Sequence, residues 1–472
     1  MKENRKSTLT SRPPIVVVLG HVDHGKTTLL DAIRKTNVAQ KETGGITQSI
    51  GASQVTTKDG KIITFIDTPG HEAFAKMRSR GTKISDIAIL VVASDDGVKP
   101  QTKEALEYIL SESMPFIVAA TKVDLPSASA DTVRQQLEKE GVAFEGRGGD
   151  TPLVRVSAKS GEGINELLEV ITLLSELHGI SGDPNDPLDA FIIETGRGKG
   201  GPYAALVIRN GTLKVGDEIV SESSVGKARG IFDFQGKVLS EAIPGQPAQV
   251  LGFSEPPSIG SRIWHKDEHS QPALAVKSPT QEKIAEGKIP ILVKAKNAGS
   301  LEAVLARVPK NFFVIFSDVG DVSESDVLLA KSANAEIITF ESRASSGVLR
   351  LAKTEGVHIE TFTIIYELFE KLEEVVKKGE VQILGKAQIL SMFPYDNKKI
   401  AGCKVIKGKI TKNDRLSLTR NENELGKIKV ISMQKGRQEI TEVAQGEEFG
   451  VIFTPQLEFK VGDVLISVRN NS

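Results

Sequence analysis

The residues best suited to chemistry lie near the N-terminus. Gly20-His21-Val22-Asp23-His24-Gly25-Lys26-Thr27 fits G-x-x-x-x-G-K-[ST], the spacing of a loop that cradles phosphates. Its glycines let successive backbone N–H groups turn inward around an anion, and a helix starting there adds positive potential. Lys26 would reach the β- and γ-phosphates. The Thr27 hydroxyl, followed by Thr28, would bind Mg2+. A metal site at His21 and His24 is the weaker reading, because the phosphate loop already accounts for both positions.

Three further segments belong with this loop. Asp67-Thr68-Pro69-Gly70 follows the apolar run 62–66. A carboxylate at that strand end would hold Mg2+ through water, and Gly70 would bring its N–H to a γ-phosphate. Thr121-Lys122-Val123-Asp124 follows 116–120, and Ser157-Ala158-Lys159 follows 153–156. Asp124 would accept from the N1–H and amino donors of guanine, which adenine lacks, and the Ala158 N–H would donate to O6. The expected nucleotide is therefore GTP rather than ATP.

Those loops need strands to hold them. The runs 15–19, 62–66, 87–92, 116–120 and 153–156 are short, rich in Val and Ile, and almost free of polar alternation. That is the pattern of strands buried on both faces of a parallel sheet. Helical spacing at 26–35, 100–111, 131–141 and 163–178 completes a doubly wound α/β domain, whose strand carboxyl ends bind ligands.

A Pro/Gly/Asp cluster at 182–187 ends this pattern. Residues 188–275 then show short strands with turn signals such as Asn210-Gly211 and Pro244-Gly245, as in a small β-barrel. After a polar linker at 276–288, strands 290–295, 312–316, 335–340 and 357–362 alternate with helices 299–308, 323–333 and 344–355. This second, smaller parallel α/β domain has no phosphate fingerprint and reads as a spacer. The segment 366–380, with Leu368, Leu372, Val375 and Val376 among charges, is an amphipathic helix. Residues 381–472 return to strands and echo the first barrel. Asn210-Gly211-Thr212-Leu213-Lys214-Val215-Gly216-Asp217-Glu218-Ile219 resembles Lys407-Gly408-Lys409-Ile410-Thr411-Lys412-Asn413-Asp414-Arg415-Leu416, so two barrels of one type are expected.

Composition agrees. A chain of 472 residues, 39% hydrophobic and 26% charged, has length for three or four globular domains. The single cysteine, Cys403, excludes an intramolecular disulfide framework and a Cys-rich zinc site, and fits a reducing compartment. No apolar run approaches the roughly 18 residues that span a bilayer. The basic N-terminus lacks an apolar segment, so neither a secretory signal nor a membrane partner is expected. The 60 basic and 61 acidic residues balance, which excludes a histone-like coating protein. Residues 381–472 nevertheless hold 15 basic and 10 acidic side chains.

From about residue 13 to 468 the chain resembles bacterial translation initiation factor two, a translational GTPase family. The phosphate loop, Gly44-Gly45-Ile46-Thr47-Gln48-Ser49-Ile50-Gly51-Ala52, Asp67-Thr68-Pro69-Gly70-His71-Glu72-Ala73-Phe74 and Asp95-Asp96-Gly97-Val98 with Pro100-Gln101-Thr102 carry the likeness. So do Gly299-Ser300-Leu301-Glu302-Ala303, Val319-Gly320 with Glu324-Ser325-Asp326-Val327, and Ile400-Ala401-Gly402-Cys403. The resemblance implies a multidomain α/β plan. It runs from a basic tail (1–12) through a P-loop GTPase domain (13–180), a β-barrel (181–278) and an α/β domain (279–362). A connecting helix (363–380) then leads to a C-terminal β-barrel that binds initiator tRNA (381–472).

It also implies the activity. A cytoplasmic GTPase, monomeric off the ribosome, would place formylmethionyl initiator tRNA on the small ribosomal subunit, promote subunit joining and hydrolyse GTP. An elongation or selenocysteine-specific factor is the alternative in the same class, and the α/β run at 289–362 argues against it. A non-hydrolysing regulator is opposed by the set Lys26, Thr27, Thr47, Asp67 and His71.

By position, Thr47 would close on Mg2+ and the γ-phosphate, and His71 would orient the attacking water. Val22 and Ile46 would gate His71, and Asp23 would help hold a monovalent cation. Cys403 by itself reads as core packing; the resemblance puts it, with Glu448 and Phe449, in the initiator tRNA pocket. The family usually has Cys at Phe449 and Lys-Arg at Gln434-Lys435, so a weaker formyl preference is expected. Thr121 replaces the usual Asn, which should leave guanine recognition by Asp124 in place with some loss of loop rigidity. Lys296-Asn297 stands where Asp-Val is common. The long N-terminal extension of bacterial members does not precede residue 13, and any contact made through it is expected to be missing.

Overall fold

The computed structural model describes residues 10–36, 47–48, 50–198, 200–267, 288–379, 382–395, 398–420, 423–436, 438–455 and 457–469. The chain forms two compact units, Met1–Phe369 and Glu370–Ser472.

The first unit begins with β1 (Ile15–Gly20), α1 (Lys26–Arg34), β2 (Gly51–Thr56) and β3 (Ile62–Asp67). Then come α2 (Ala75–Ile84), β4 (Ile87–Ala93), α3 (Pro100–Ser111), β5 (Phe116–Thr121), α4 (Ala130–Lys139), β6 (Leu153–Arg155) and α5 (Ile164–Leu177). The sheet runs β2-β3-β1-β4-β5-β6, parallel except for the β2 edge, which pairs antiparallel with β3. Alternation places Val16 and Val18 in one core with Leu29 and Leu167, and Val17 and Leu19 in the other with Leu106 and Val133. Both faces of β1 are therefore dry, which is why its sequence has no polar alternation. Helices α1 and α5 cover one face and α3 and α4 the other.

Strands β7 (Asp189–Gly198), β8 (Gly201–Asn210), β9 (Glu218–Ser221), β10 (Val225–Phe232), β11 (Pro247–Phe253) and β12 (Arg262–His265) make an antiparallel barrel. Its order is β9-β12-β7-β8-β11-β10, and the β9–β10 pairing closes it.

Next come β13 (Ile289–Ala295), α6 (Ala298–Arg307), β14 (Phe312–Val319), α7 (Glu324–Ser332), β15 (Glu336–Phe340), α8 (Ser346–Glu355) and β16 (Ile359–Phe362). They form a four-stranded parallel sheet ordered β14-β13-β15-β16. Asn297 caps α6, its side chain accepting from the Ser300 N–H at 2.8 Å. Helix α9 (Ile365–Gly379) follows.

In the second unit, β17 (Gln382–Tyr395), β18 (Lys398–Thr411), β19 (Arg415–Arg420), β20 (Asn423–Lys435), β21 (Glu448–Thr454) and β22 (Val464–Arg469) form another antiparallel barrel. Its order is β17-β22-β19-β20-β21-β18, closed by β17–β18. Taken around the ring, the two barrels follow the same strand order. The two echo segments both bridge the second strand to the third, so the sequence repeat marks an equivalent turn in each barrel.

Candidate nucleotide site

The phosphate loop leaves β1 and enters α1 through Gly25, which sits at φ 86° as the N-cap. Asp23 also takes a positive φ of 62°, so consecutive N–H groups turn to one side. The Val22 N–H is held by Gln101 Oε1 from α3 at 3.0 Å. Lys26 opens α1, and its ammonium donates to the His21 carbonyl at 2.6 Å. Burial lowers its pKa to about 8, with the Asp67 carboxylate opposing that shift.

Asp67 ends β3 and pairs in register with Val18 of β1, two residues before the loop. Burial pushes its carboxyl up to about 6 against the pull of Arg34 and Lys26. Its Oδ1 is buried without a hydrogen-bond partner among the described residues. Thr47 meets the phosphate loop directly, its Oγ1 lying 2.6 Å from Thr27 Oγ1. Two hydroxyls and an unsatisfied carboxylate oxygen are hard donors that suit Mg2+ better than a soft metal. Gly70 sits close against the phosphate loop: a Cβ there would displace the Lys26 ammonium and crowd the Val22 backbone N.

His71 caps the short turn Glu72–Phe74, its Nδ1 accepting from the Ala73 N–H at 3.1 Å. In the neutral ring this leaves the proton on Nε2. Burial and then the Arg307 charge lower its pKa, which favours the neutral ring. Arg78 of α2, fully buried, donates to the carbonyls of Pro69, Gly70 and His71 and makes a two-pronged bond to Glu104. The turn carrying Gly70 and His71 is fixed from beneath by this one guanidinium.

At the base end, Ser157 Oγ donates to Asp124 Oδ1 at 2.7 Å, which aims the carboxylate and holds its pKa below the usual range. Thr121 Oγ1 donates to the His24 carbonyl at 2.7 Å, tying the base loop to the phosphate loop. The tie expected of an asparagine is thus made by a hydroxyl.

A cleft of about 420 Å³ opens between these loops. The phosphate loop contributes Val22, Asp23, Gly25, Lys26, Thr27 and Thr28, and the neighbouring segments contribute Thr47, Gly70 and His71. From the base loops come Thr121, Lys122, Asp124, Ala158 and Lys159. Gly20, His21, His24, Asp67 and Ser157 are not among the residues that line the cleft. Ile46 lies outside the described residues, as do Gly44 and Gly45. Sequence reasoning missed two wall residues, Leu125 and Tyr366, and the supporting Arg78. Tyr366 had no local signal, because it reaches the cleft from α9.

The C-terminal barrel carries a second depression of about 410 Å³, lined by Cys403, Gln434, Glu448 and Phe449 among others. Cys403 and Phe449 face each other in register and belong to the barrel core. Burial pushes the Cys403 thiol up to about 12, so it acts as a small apolar group. Glu448 pairs with Lys404 at 3.4 Å, and Lys435 with Glu447 at 2.7 Å.

A phosphate loop, a strand-end acid and a guanine-type carboxylate on one parallel sheet define a P-loop GTPase. Residues 11–176 match the family described as Elongation factor Tu GTP binding domain, which places the chain among the translational GTPases. Residues 187–266 match Elongation factor G domain 2, and 266–373 match Translation-initiation factor 2.

The chain is 39% identical to Translation initiation factor IF-2 of Caldanaerobacter subterraneus subsp. tengcongensis, over 98% of this chain and 70% of that protein. It is 37% identical to a Thermus thermophilus protein of the same name, over 98% of this chain and 88% of the relative. Against the Persephonella marina protein of that name it is 40% identical, over 96% of this chain and 56% of the relative. A crystal structure of GDP-bound aIF5B from Aeropyrum pernix is 29% identical with a TM-score of 0.46, covering 97% of this chain and 92% of that one. The chain belongs to the translation initiation factor IF-2 family and is a translation initiation GTPase. No helix among the described residues is long and apolar enough to cross a membrane.

Proposed function

We propose that the cleft binds GTP with Mg2+ and hydrolyses it when the protein meets the ribosome. The observation that carries this reading is the Thr27–Thr47 hydroxyl contact, which brings the residue expected to sense a γ-phosphate onto the phosphate loop. Mg2+, held by Thr27, Thr47 and Asp67, would neutralise charge on the phosphates. Lys26 supplies further positive charge, and Asp124, Ser157 and the Ala158 N–H orient the base. His71 directs a water onto the γ-phosphorus as the bond to the β–γ bridging oxygen breaks. Phosphoryl transfer asks for such positioning more than for a strong base. Val22 shields the imidazole until then, and Asp23 helps hold a monovalent cation.

The C-terminal barrel, on this reading, receives the formylmethionyl end of initiator tRNA at the depression beside Cys403, Glu448 and Phe449. The factor places that tRNA on the small subunit, promotes joining of the large one, leaves after hydrolysis, and acts in the cytoplasm as a monomer off the ribosome. GTP turnover and subunit joining, measured with and without ribosomal subunits and initiator tRNA, test the whole proposal.

A further inference from the structure

Gln48 is 5% exposed, and its carboxamide is engaged by a segment far away in the chain. Nε2 donates to the Thr363 carbonyl at 2.8 Å, and Oε1 accepts from the Ile365 N–H at 3.0 Å. Ile365 is the first residue of α9 and fully buried, so its N–H has no acceptor inside the helix and no water to replace one. Gln48 therefore caps α9 from across the unit. A carboxamide suits this junction because it donates and accepts at once.

One residue earlier, Thr47 touches Thr27 of the phosphate loop. Adjacent Cα atoms are about 3.8 Å apart across a rigid peptide, so the two anchors cannot move independently by much more than side-chain slack. We infer that Gln48 is a positioning residue that makes closure of Thr47 on the nucleotide and capping of α9 one linked equilibrium. A nucleoside triphosphate then tightens the start of α9, and a diphosphate does not. Linkage is reciprocal, so the intact cap must favour the triphosphate by the same factor. This inference rests on the reading of Thr47 as the γ-phosphate sensor.

Gln48→Met keeps the length and apolar bulk of the side chain and removes both hydrogen bonds. The test measures binding of GDP and of a non-hydrolysable GTP analogue to the full chain, with hydrogen exchange at residues 363–367 in each state. Triphosphate affinity should fall about tenfold while diphosphate affinity stays within about twofold. In the wild type, exchange at Ile365 should slow with the triphosphate and not with the diphosphate, and Q48M should abolish that difference. Equal weakening of both nucleotides, or an unchanged preference, overturns the inference. If Q48M does not fold, the wild-type exchange decides, and equal protection by both nucleotides overturns it. Thr47→Ala separates the two layers. An unchanged triphosphate preference in T47A removes the sensor reading itself. A lowered preference in T47A with none lost in Q48M removes only the role of Gln48.

Discussion

The ring of Tyr366 stands edge-on to the imidazole of His71, centroids 4.4 Å apart and planes at 87°. Tyr366 comes from α9, beyond the nucleotide domain, yet it lines the same cleft. The Ala73 N–H on Nδ1 and this ring contact are the two interactions that fix the imidazole here, and on the proposed mechanism they would keep it from the nucleotide. An aromatic pair of this kind contributes on the order of 1 kcal/mol, enough for a several-fold change in rate. Tyr366→Ala should therefore raise ribosome-independent GTP turnover several-fold, whereas Tyr366→Phe should leave it near wild type. A rate unchanged in Tyr366→Ala would show that the contact does not restrain His71.

The base contact makes a separate prediction. An amide at position 124 donates where the carboxylate accepts, so Asp124→Asn should move preference from guanosine toward xanthosine nucleotides. The Ser157 hydroxyl that orients Asp124 can still donate to the amide oxygen. Competition binding with GDP and xanthosine diphosphate reads this directly, and unchanged GDP affinity would remove Asp124 from the guanine contact.

Glu194 of β7 predicts a pH dependence. Its side chain is buried, and Oε1 accepts from the Thr195 and Gly299 N–H groups. Burial raises its pKa to about 7, against those two bonds and Arg80, while Glu302 adds to the rise. The unfolded carboxyl ionises near 4.5 while the folded one stays protonated. Stability is thus fully present below about pH 4.5 and is lost as pH rises through about 7, by roughly 3 kcal/mol for this group. Urea unfolding followed by the single tryptophan, Trp264 of the same barrel, should show that fall between about pH 4.5 and 7. Glu194→Gln should flatten the curve. An equal slope in the variant would assign the dependence to other groups.

On the proposed reading of the last barrel, Phe449 sets how well it would discriminate the formylated form. Its ring packs in the core opposite Cys403 and forms part of the depression wall. Residues 370–472, which form a compact unit with its own core, should bind initiator tRNA with an affinity that falls as salt rises. Preference for the formylated form should be weak, and Phe449→Cys should sharpen it. That change removes a buried ring and costs roughly 2–4 kcal/mol of stability, so the comparison belongs at low temperature. No binding of either form would remove the tRNA role from this barrel, and a strong wild-type preference would show that Phe449 does not blunt it.

What could be read from the residues follows from where they are buried. Strands β1, β4 and β5 are dry on both faces and announce themselves as apolar runs. The phosphate loop announces itself because glycine and lysine are required at set positions. Edge strand β2 was not legible, since Gly51-Ala52-Ser53-Gln54-Val55-Thr56 is half exposed and mostly small or polar. Helix α2 was missed for the opposite reason: Arg78 looks like a surface residue in sequence but is fully buried beneath the Gly70–His71 turn. Gln48 and Tyr366 meet their partners through tertiary structure alone, which no local pattern encodes. The repeated Asn210 and Lys407 segments did carry long-range information, because equivalent turns in two barrels of one topology face the same backbone constraints.

In the proposed mechanism His71 directs hydrolysis on the ribosome. Its most direct test is GTP turnover by wild type and His71→Ala, each alone and with ribosomes and formylmethionyl initiator tRNA, alongside nucleotide affinity. Ribosomes should stimulate the wild type strongly. The variant should bind GTP almost as well yet lose on the order of 100-fold or more of the stimulated rate, as expected for removal of one positioning group. A variant that turns over at the wild-type rate on ribosomes would remove His71 from the hydrolytic step.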